Sequence, residues 1–257
     1  PRSIGTAAVQ RAGMSRFLLV HGAWHTAACW QRTAGLLEAA GHTVLTPNLP
    51  GHGPEAASAA RVSLRHQVAA LVEQLSDADA PIHVVAHSMA GVPATVAASL
   101  APDHVASLTY LAAFLPRPGD SVFGLMAANR AHEPLTRIEL AMNLSPDKRT
   151  CTVATDEAAD LFYHDLPAEQ AVKLADQLQP QSTLVLAADA HFDALPLAAI
   201  PRGYIACRRD RVLPFHHQQR MLQRGDGMSW RVLDSDHSPF YSRPVELVDL
   251  LLAPCQT

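Results

Sequence analysis

The chain has 257 residues, of which 48% are hydrophobic, and its formal net charge is −4. This length and composition suit one α/β domain with a large core, and the weak negative charge disfavours a nucleic-acid partner, which leaves a small molecule as the expected ligand. No apolar run approaches the roughly 20 residues of a membrane span, and the four cysteines form no Cys-x-x-Cys pair, which disfavours both a zinc site and a disulfide framework.

The first residues do not contribute to the predicted fold. Residues 1–13 lack the apolar core and the small-residue cleavage site of a signal peptide. We interpret residues 1–14 as an N-terminal extension or a cloning remnant, with Met14 as a natural start. Together with the scattered cysteines, this predicts reduced thiols and a cytoplasmic location.

Strands and helices then alternate along the chain, because short apolar runs are separated by segments with helical periodicity. Prolines and glycines predict a loop over Pro47–Ala60, and Gly41 and Ser63 are typical of a helix C-cap and an N-cap. The alternation predicts a mostly parallel central sheet flanked by helices. The predicted strands are Arg16–Val20, Thr43–Thr46, Ile82–Ala86 and Ala106–Ala112, and the predicted helices are Cys29–Ala40, Ser63–Leu75 and Val92–Leu100.

The alternation stops after Leu115 and returns near Gly203. Between these points we find helical patterns but no convincing strand, and we therefore predict a helical cap over residues 116–196. This cap is inserted into one core made of residues 15–115 and 197–257. The predicted cap helices are Val122–Arg130, Asp156–His164 and Pro167–Leu178, and the later core elements are strands Gly203–Cys207 and Ser229–Leu233 and helices Phe215–Arg224 and Pro244–Leu252.

The most informative motif is Ala86-His87-Ser88-Met89-Ala90-Gly91, which lies between a predicted strand and a predicted helix. A serine with small residues two positions away on each side is typical of a nucleophile elbow, a turn too tight for bulky side chains at those positions. Alanines replace the two usual glycines and keep these side chains small. Ser88 is therefore the candidate nucleophile.

A serine hydroxyl at neutral pH needs a base, and the base needs an acid that orients it. In nucleophile-elbow enzymes the acid and then the histidine follow the serine, each after a later strand. Asp210 follows the predicted strand Gly203–Cys207, and His237 follows Ser229–Leu233, so we predict that both are catalytic. Other aspartates compete for the role of the acid: Asp189, Asp193, Asp234 and Asp236.

Backbone N–H groups must also stabilise the oxyanion that forms when an ester carbonyl is attacked. We predict the N–H groups of Met89, directly after the nucleophile, and of Ala23, in the loop after the first strand. His21 and His25 in that loop have a spacing that resembles a metal site, but no acid-rich helix accompanies them, and we expect neither a metal nor a cofactor. We interpret His52 and His87 as local hydrogen-bonding residues.

Apolar side chains are the candidates for a substrate pocket, although those of the cap are explained equally well as its own core. No lysine or arginine is assigned to a substrate carboxylate, which favours a neutral, mostly apolar substrate. The candidate pocket residues are Trp24, Phe123, Met126, Phe162 and Tyr163.

Four stretches carry a resemblance to known proteins: Phe17 to His25 with Cys29-Trp30, Gly41 to Val44, Leu161 to Asp165, and Asp236 to Phe240. Together they resemble the branch of the α/β hydrolases that contains plant methyl-ester esterases, hydroxynitrile lyases and bacterial pyrethroid-hydrolase-like esterases, over nearly all of residues 15–252. The resemblance implies an α/β-hydrolase fold. It also implies that the family's catalytic roles fall on Ser88, Asp210 and His237, with Ala23 and Met89 as oxyanion donors.

The resemblance narrows the expected activity. Hydroxynitrile lyases of this branch have a lysine after the catalytic histidine, and Ser238 takes that place here, so no cation is present for a cyanide leaving group. We expect a serine hydrolase that cleaves a small, mostly apolar carboxylic ester, a methyl ester or lactone included, through an acyl-enzyme. The alternative is small-molecule binding or non-hydrolytic tailoring on the same fold. The residues indicate no oligomeric state, and a homodimer is implied by the resemblance alone.

Overall fold

The computed structural model describes residues 14–128, 130, 135–224 and 228–253. The predicted N-terminal extension therefore lies outside the described residues, except for Met14. The strands are β1 Arg16–Val20, β2 Thr43–Leu45, β3 Ile82–His87, β4 Val105–Leu111, β5 Met142–Leu144, β6 Thr150–Val153, β7 Gln181–Ser182, β8 Arg202–Cys207 and β9 Ser229–Leu233. The helices are α1 Gln31–Ala39, α2 Leu64–Ser76, α3 Gly91–Leu100, α4 Val122–Ala127, α5 Arg137–Ala141, α6 Thr155–Phe162, α7 Ala168–Ala175, α8 Thr183–Ala187, α9 Ala194–Ala198, α10 Phe215–Gln223, α11 Pro239–Ser242 and α12 Pro244–Leu252.

A six-stranded sheet in the order β2-β1-β3-β4-β8-β9 forms the centre of the fold, and its neighbouring strands are all parallel. The predicted parallel sheet is confirmed, and each predicted strand of this sheet has an observed strand whose ends differ by one residue at most. The inner strands are continuous apolar runs because helices cover the sheet on both faces. Their carboxyl ends all reach the same edge of the sheet.

Alternate side chains of each strand enter two separate cores, as the period of two in a strand requires. On one face, Leu18 and Val20 of β1 pack beneath α2 and α3 and join the apolar side chains of residues 122–197. On the other face, Phe17 and Leu19 pack with apolar residues of α1 and α12. The sheet is therefore buried between two helical layers.

The segment over residues 116–196, hereafter the inserted segment, contains more than helices. Strands β5, β6 and β7 form a small antiparallel sheet, so the expectation of no strand in this segment is wrong. These strands have only two to four residues, which is too short for an alternation of polar and apolar side chains to be recognised in the sequence. Helices α5, α8 and α9 were also not predicted, and each has only five residues.

Three further features concern local structure and hydropathy. The predicted loop Pro47–Ala60 contains a 3-10 helix, Gly53–Arg61. Gly41 follows α1 with a φ of +92°, the left-handed conformation expected of a residue just beyond a helix C-terminus. Among the described residues, no helix combines the length and the apolar composition that a membrane crossing needs.

Candidate active site

Ser88 lies in a strained turn between β3 and α3. Its φ is +54°, in the left-handed region that residues with a side chain seldom occupy. Residues Ser88–Ala90 form one 3-10 turn before α3 begins at Gly91. Ala86 and Ala90 are fully buried, which explains why only small side chains suit these positions. The turn places Ser88 beyond the carboxyl end of a central strand.

The structure brings Ser88, His237 and Asp210 together. His237 Nε2 lies 3.0 Å from Ser88 Oγ, and His237 Nδ1 lies 2.7 Å from Asp210 Oδ2. Because a carboxylate can only accept, Nδ1 carries the proton, and Nε2 is left free to accept one from the serine. His237 is fully buried, and Ser88 and Asp210 are only 5% and 6% exposed. The three side chains therefore interact with little solvent between them.

Asp210 is held by the loop that follows β8. Its Oδ1 accepts hydrogen bonds of 2.8 Å from the N–H groups of both Val212 and Leu213. Gln218 of α10 donates its side-chain amide to Asp210 Oδ2 at 3.2 Å. These donors fix the orientation of the carboxylate toward His237. No sequence signal distinguished Gln218, because its position next to Asp210 depends on how α10 packs.

The loop around His237 is fixed from a second direction. His87, the residue before Ser88, donates from Nε2 to the carbonyl oxygen of His237 at 2.9 Å. Asp236, a sequence rival of Asp210, instead accepts from Ser238 N–H at 3.1 Å and from Ser242 Oγ at 2.7 Å. Burial raises the pKa of the Asp236 carboxyl. Asp236 thus stabilises the loop and does not contact the His237 ring through any of these bonds.

The loop over residues 21–25 carries the predicted oxyanion donor Ala23 and is hereafter called the oxyanion loop; it packs directly against the elbow. A Cβ atom on Gly22 would lie 2.8 Å from His87 Nδ1 and 2.8 Å from Ser88 Cβ, closer than Cβ atoms approach other heavy atoms. Glycine is therefore required at this position. Ala23 and Met89, whose N–H groups we predicted as oxyanion donors, both line the same cavity as Ser88.

The histidines of the oxyanion loop are occupied by hydrogen bonds. His21 Nδ1 bonds the carbonyl of Gly22 at 2.9 Å, and its Nε2 accepts from Leu49 N–H at 3.0 Å. His25 Nδ1 bonds the carbonyl of Ala23 at 2.9 Å. Desolvation lowers the pKa of both rings, that of His25 to about 4, which keeps them neutral. In the described part of the chain, no three His, Cys, Asp or Glu side chains are grouped as a metal site would need.

A narrow apolar cavity of about 20 Å³ reaches Ser88. That volume accommodates about one water molecule, so an ester can enter only if the surrounding side chains move apart. Among the described residues that line it, none carries a charge. They are Ala23, Trp24, Ser88, Met89, Phe114, Val122, Met126, Ile138, Met142, Leu186 and Val212.

The structure places only part of the predicted pocket at this cavity. Trp24 and Met126 line it, whereas Phe123, Phe162 and Tyr163 do not. The Phe162 ring lies 5.7 Å from the His237 ring, and Tyr163 bonds to His25, so both are buried beside the loops that carry these two histidines. Val122 was recognisable because it lies four residues before Met126 on α4. The other wall residues gave no signal, because they lie either in elements that were not predicted, namely α5, β5 and α8, or in loops outside the helices and strands.

A larger cavity, of about 420 Å³, lies at the opposite edge of the sheet. Its lining includes Phe17, His83 and Ser229, which stand at or next to the amino-terminal ends of their strands. None of the predicted site residues lies there. In open parallel sheets, ligands bind outside the carboxyl ends of the strands, and Ser88 lies at that edge.

Comparisons with known proteins agree with this architecture. The model of the alpha/beta hydrolase family matches residues 17–250. Methylesterase 7 of Arabidopsis thaliana is 30% identical over 95% of this chain and 97% of its own length. Pyrethroid hydrolase of Sphingobium wenxiniae is 28% identical over 91% of this chain and 85% of its own. The crystal structure of a pyrethroid hydrolase from Sphingobium faniae has a TM-score of 0.82, with 28% identity over 93% of this chain and 96% of that one.

Proposed function

This chain belongs to the α/β-hydrolase family, and we propose that it cleaves a small, mostly apolar carboxylic ester through Ser88, His237 and Asp210. Relatives along most of its length are named methylesterase and pyrethroid hydrolase, so the reaction is hydrolysis of a carboxylic ester. The observation that carries the catalytic assignment is the continuous hydrogen-bonded path from Ser88 Oγ through His237 to Asp210.

The geometry supports a two-step reaction. His237 Nε2 takes the proton of Ser88 Oγ as the oxygen attacks the ester carbonyl, and Asp210 stabilises the imidazolium that forms. The N–H groups of Ala23 and Met89 stabilise the oxyanion of the tetrahedral intermediate. Collapse breaks the bond to the alcohol, which leaves with the proton from His237, and the acyl group stays on Ser88. A water molecule, activated by His237, then releases the acid.

The cavity supports a substrate without charge. Apart from Ser88, the described side chains that line it are aliphatic, aromatic or thioether groups, and among them the indole of Trp24 carries an N–H. The indole N–H of Trp24 is already bonded to the carbonyl of Cys151 at 3.0 Å. A charged group on the acid or alcohol side would therefore be buried there without a partner, at a high energetic cost. The expected substrates are hydrocarbon-rich esters, methyl esters and lactones included.

The arrangement of the chain is part of the proposal. Residues 116–196 form a cap on a core of residues 15–115 and 197–257, because α4, α5 and α8 contribute wall residues to the cavity above Ser88. We also propose a cytoplasmic location and a homodimer. The described cysteines, Cys29, Cys151 and Cys207, are free and buried, as reduced structural thiols are.

Substitution of the nucleophile tests the proposal. Ser88→Ala removes the attacking oxygen, so we expect turnover of short p-nitrophenyl esters to fall by a factor on the order of 10⁴ to 10⁶. Ser99→Ala is the matched control, because Ser99 is also buried and its hydroxyl donates to the carbonyl of Val96 within α3, away from the proposed triad. Its turnover should equal that of the wild type. Equal turnover in Ser88→Ala would contradict the assignment.

A covalent probe separates hydrolysis from binding on the same fold. A fluorophosphonate reacts with an activated serine, and mass spectrometry should locate one adduct on Ser88 that is missing in His237→Ala. An unlabelled Ser88 in a chain that still binds apolar esters would support the alternative, a small-molecule binding protein.

A further inference from the structure

We propose that the inserted segment holds the oxyanion loop in its catalytic shape, with Tyr163 as a positioning residue that acts through His25. The inference rests on the proposed function, because it concerns the N–H group of Ala23. It assigns to the inserted segment a role in catalysis besides enclosing the substrate.

The oxyanion loop has a backbone conformation that its neighbours must maintain. Trp24, directly after Ala23, has a φ of +62°. For a residue with a bulky side chain this left-handed conformation is strained, and it persists only where surrounding contacts hold it. The contacts that hold Trp24 therefore also determine where the peptide group between Ala23 and Trp24 lies, next to the N–H group of Ala23.

Two of these contacts come from the backbone of the inserted segment. The N–H of Gln179 donates to the carbonyl oxygen of Trp24 at 2.8 Å. The indole N–H of Trp24 donates to the carbonyl oxygen of Cys151 at 3.0 Å. Both ends of the strained residue, its carbonyl and its ring, are thus bound by parts of the chain more than 120 positions away.

The third contact runs through His25 and depends on a side chain. Tyr163 Oη lies 2.9 Å from His25 Nε2, and His25 Nδ1 lies 2.9 Å from the carbonyl oxygen of Ala23. A carbonyl oxygen can only accept, so Nδ1 carries the proton and Nε2 accepts the hydrogen bond of the tyrosine. His25 and Tyr163 are 3% and 1% exposed, so water does not take the place of either partner. Tyr163 therefore orients His25, and His25 orients the carbonyl of Ala23.

The ring of Tyr163 also packs, so a test must remove the hydroxyl alone. The ring lies 5.9 Å from the ring of His25 and 5.8 Å from that of Tyr241. Tyr163→Phe keeps these contacts and leaves His25 Nε2 without a donor. Tyr110→Phe is the matched control, because Tyr110 is fully buried in β4 and its hydroxyl pairs with Thr95 Oγ1 at 2.6 Å.

Steady-state kinetics on p-nitrophenyl esters give the first readout. We expect Tyr163→Phe to lower kcat about 10- to 100-fold with KM within about twofold, because a displaced oxyanion donor affects the transition state more than substrate binding. Tyr110→Phe should leave kcat and KM unchanged. If the kcat of Tyr163→Phe equals that of Tyr110→Phe, the inference is wrong. If the wild type does not turn over any of these esters, the proposed function is refuted instead.

Hydrogen exchange of the oxyanion loop gives a readout that does not need turnover. We expect amides of residues 21–26 to exchange faster in Tyr163→Phe than in the wild type and in Tyr110→Phe. Unchanged exchange there would overturn the inference, whatever the enzyme hydrolyses.

A double-mutant cycle tests the route through His25. In His25→Asn, the amide Nδ2 takes the place of Nδ1 and still donates to Ala23, but Oδ1 takes the place of Cδ2, so no acceptor remains at the position of Nε2 that Tyr163 reaches. Tyr163→Phe should then lower kcat no further in the His25→Asn background, because coupled residues are not additive. The same loss in both backgrounds would show that Tyr163 does not act through His25.

Discussion

At the scale of single residues, the elbow shows which small side chains are required and why. Gly91 needs to be glycine, because a Cβ atom there would lie 2.1 Å from the backbone oxygen of Phe114. Ala86 and Ala90 are buried without such a conflict, so the departure from the usual glycines is accommodated. The sequence showed that small residues were present, but only the packing of neighbouring segments shows which of them has no room for a methyl group.

Gly22 allows a sharp test of this close packing. In Gly22→Ala the new methyl group must displace the side chain of His87 or Ser88, each 2.8 Å away. We expect the free energy of unfolding to fall by about 1–3 kcal/mol and ester turnover to fall at least tenfold, measured by urea unfolding and by steady-state kinetics.

Gly35→Ala is the control for that substitution. Gly35 lies inside α1, and a Cβ atom there would meet nothing within 4 Å. Alanine favours the helix by about 1 kcal/mol over glycine, so this variant should be as stable as the wild type or more stable, with full activity. A Gly22→Ala enzyme that behaves like Gly35→Ala would show that the loop and the elbow are not in tight contact.

At the scale of elements, the end of α6 joins the inserted segment to the loop around His237. Asp165, three residues after α6, accepts hydrogen bonds from Asp236 N–H at 3.0 Å and from Arg209 at 2.7 Å. Its own N–H donates to Asp236 Oδ2 at 3.3 Å. The Asp165 side chain is only 5% exposed. The last residue of the sequence motif Leu161 to Asp165 therefore connects the inserted segment with the loops around Arg209 and Asp236.

Loss of the Asp165 hydrogen bonds should lower the free energy of unfolding. Asp236 directly precedes His237, and Asp165→Ala removes the acceptor of its N–H group. We expect the free energy of unfolding to fall by about 1–3 kcal/mol. Glu169→Ala is the control, because Glu169 and its partner Lys173 are 83% and 70% exposed, and such pairs contribute under about 1 kcal/mol. Urea unfolding of both variants measures the two changes in the free energy of unfolding. Equal decreases in Asp165→Ala and Glu169→Ala would contradict the expectation.

At the scale of the whole molecule, burial of neutral histidines predicts sensitivity to acid. Desolvation lowers the pKa of His25 and His52 to about 4, and it lowers the pKa of His21 and His87 well below the usual value. The unfolded chain takes up protons on these side chains near pH 6.5, whereas the folded chain does not. Because the unfolded state then binds more protons, the free energy of unfolding falls as pH drops from about 6.5 toward 4.

Urea unfolding between pH 7.5 and pH 5 measures this effect. Each buried histidine adds a slope of at most about 1.4 kcal/mol per pH unit. The raised pKa of Asp236 acts in the opposite sense, but it is one group against the four buried histidines, and the lowered pKa of His83 adds to their effect. His52→Gln should flatten the slope, and a stability that stays constant down to pH 5 would contradict the prediction.

The sequence by itself determined the parallel sheet and the order of Ser88, Asp210 and His237, because these follow from local signals. Apolar runs, helical periodicity and the small residues around Ser88 are readable within a few positions, and parallel strands bring their carboxyl ends to one edge. The positions of Asp210 and His237 shortly after predicted strands are local signals as well. The structure places both side chains within hydrogen-bonding distance of each other.

Only the tertiary structure decided what holds the oxyanion loop and what lines the cavity. Trp24 meets the carbonyl of Cys151 across 127 positions, and Tyr163 meets His25 across 138. Tyr163 was expected in the substrate pocket and instead bonds to His25, and the wall residues Ile138, Met142 and Leu186 were not expected at all. Such contacts depend on how the inserted segment packs onto the sheet, and no pattern of neighbouring residues specifies that arrangement.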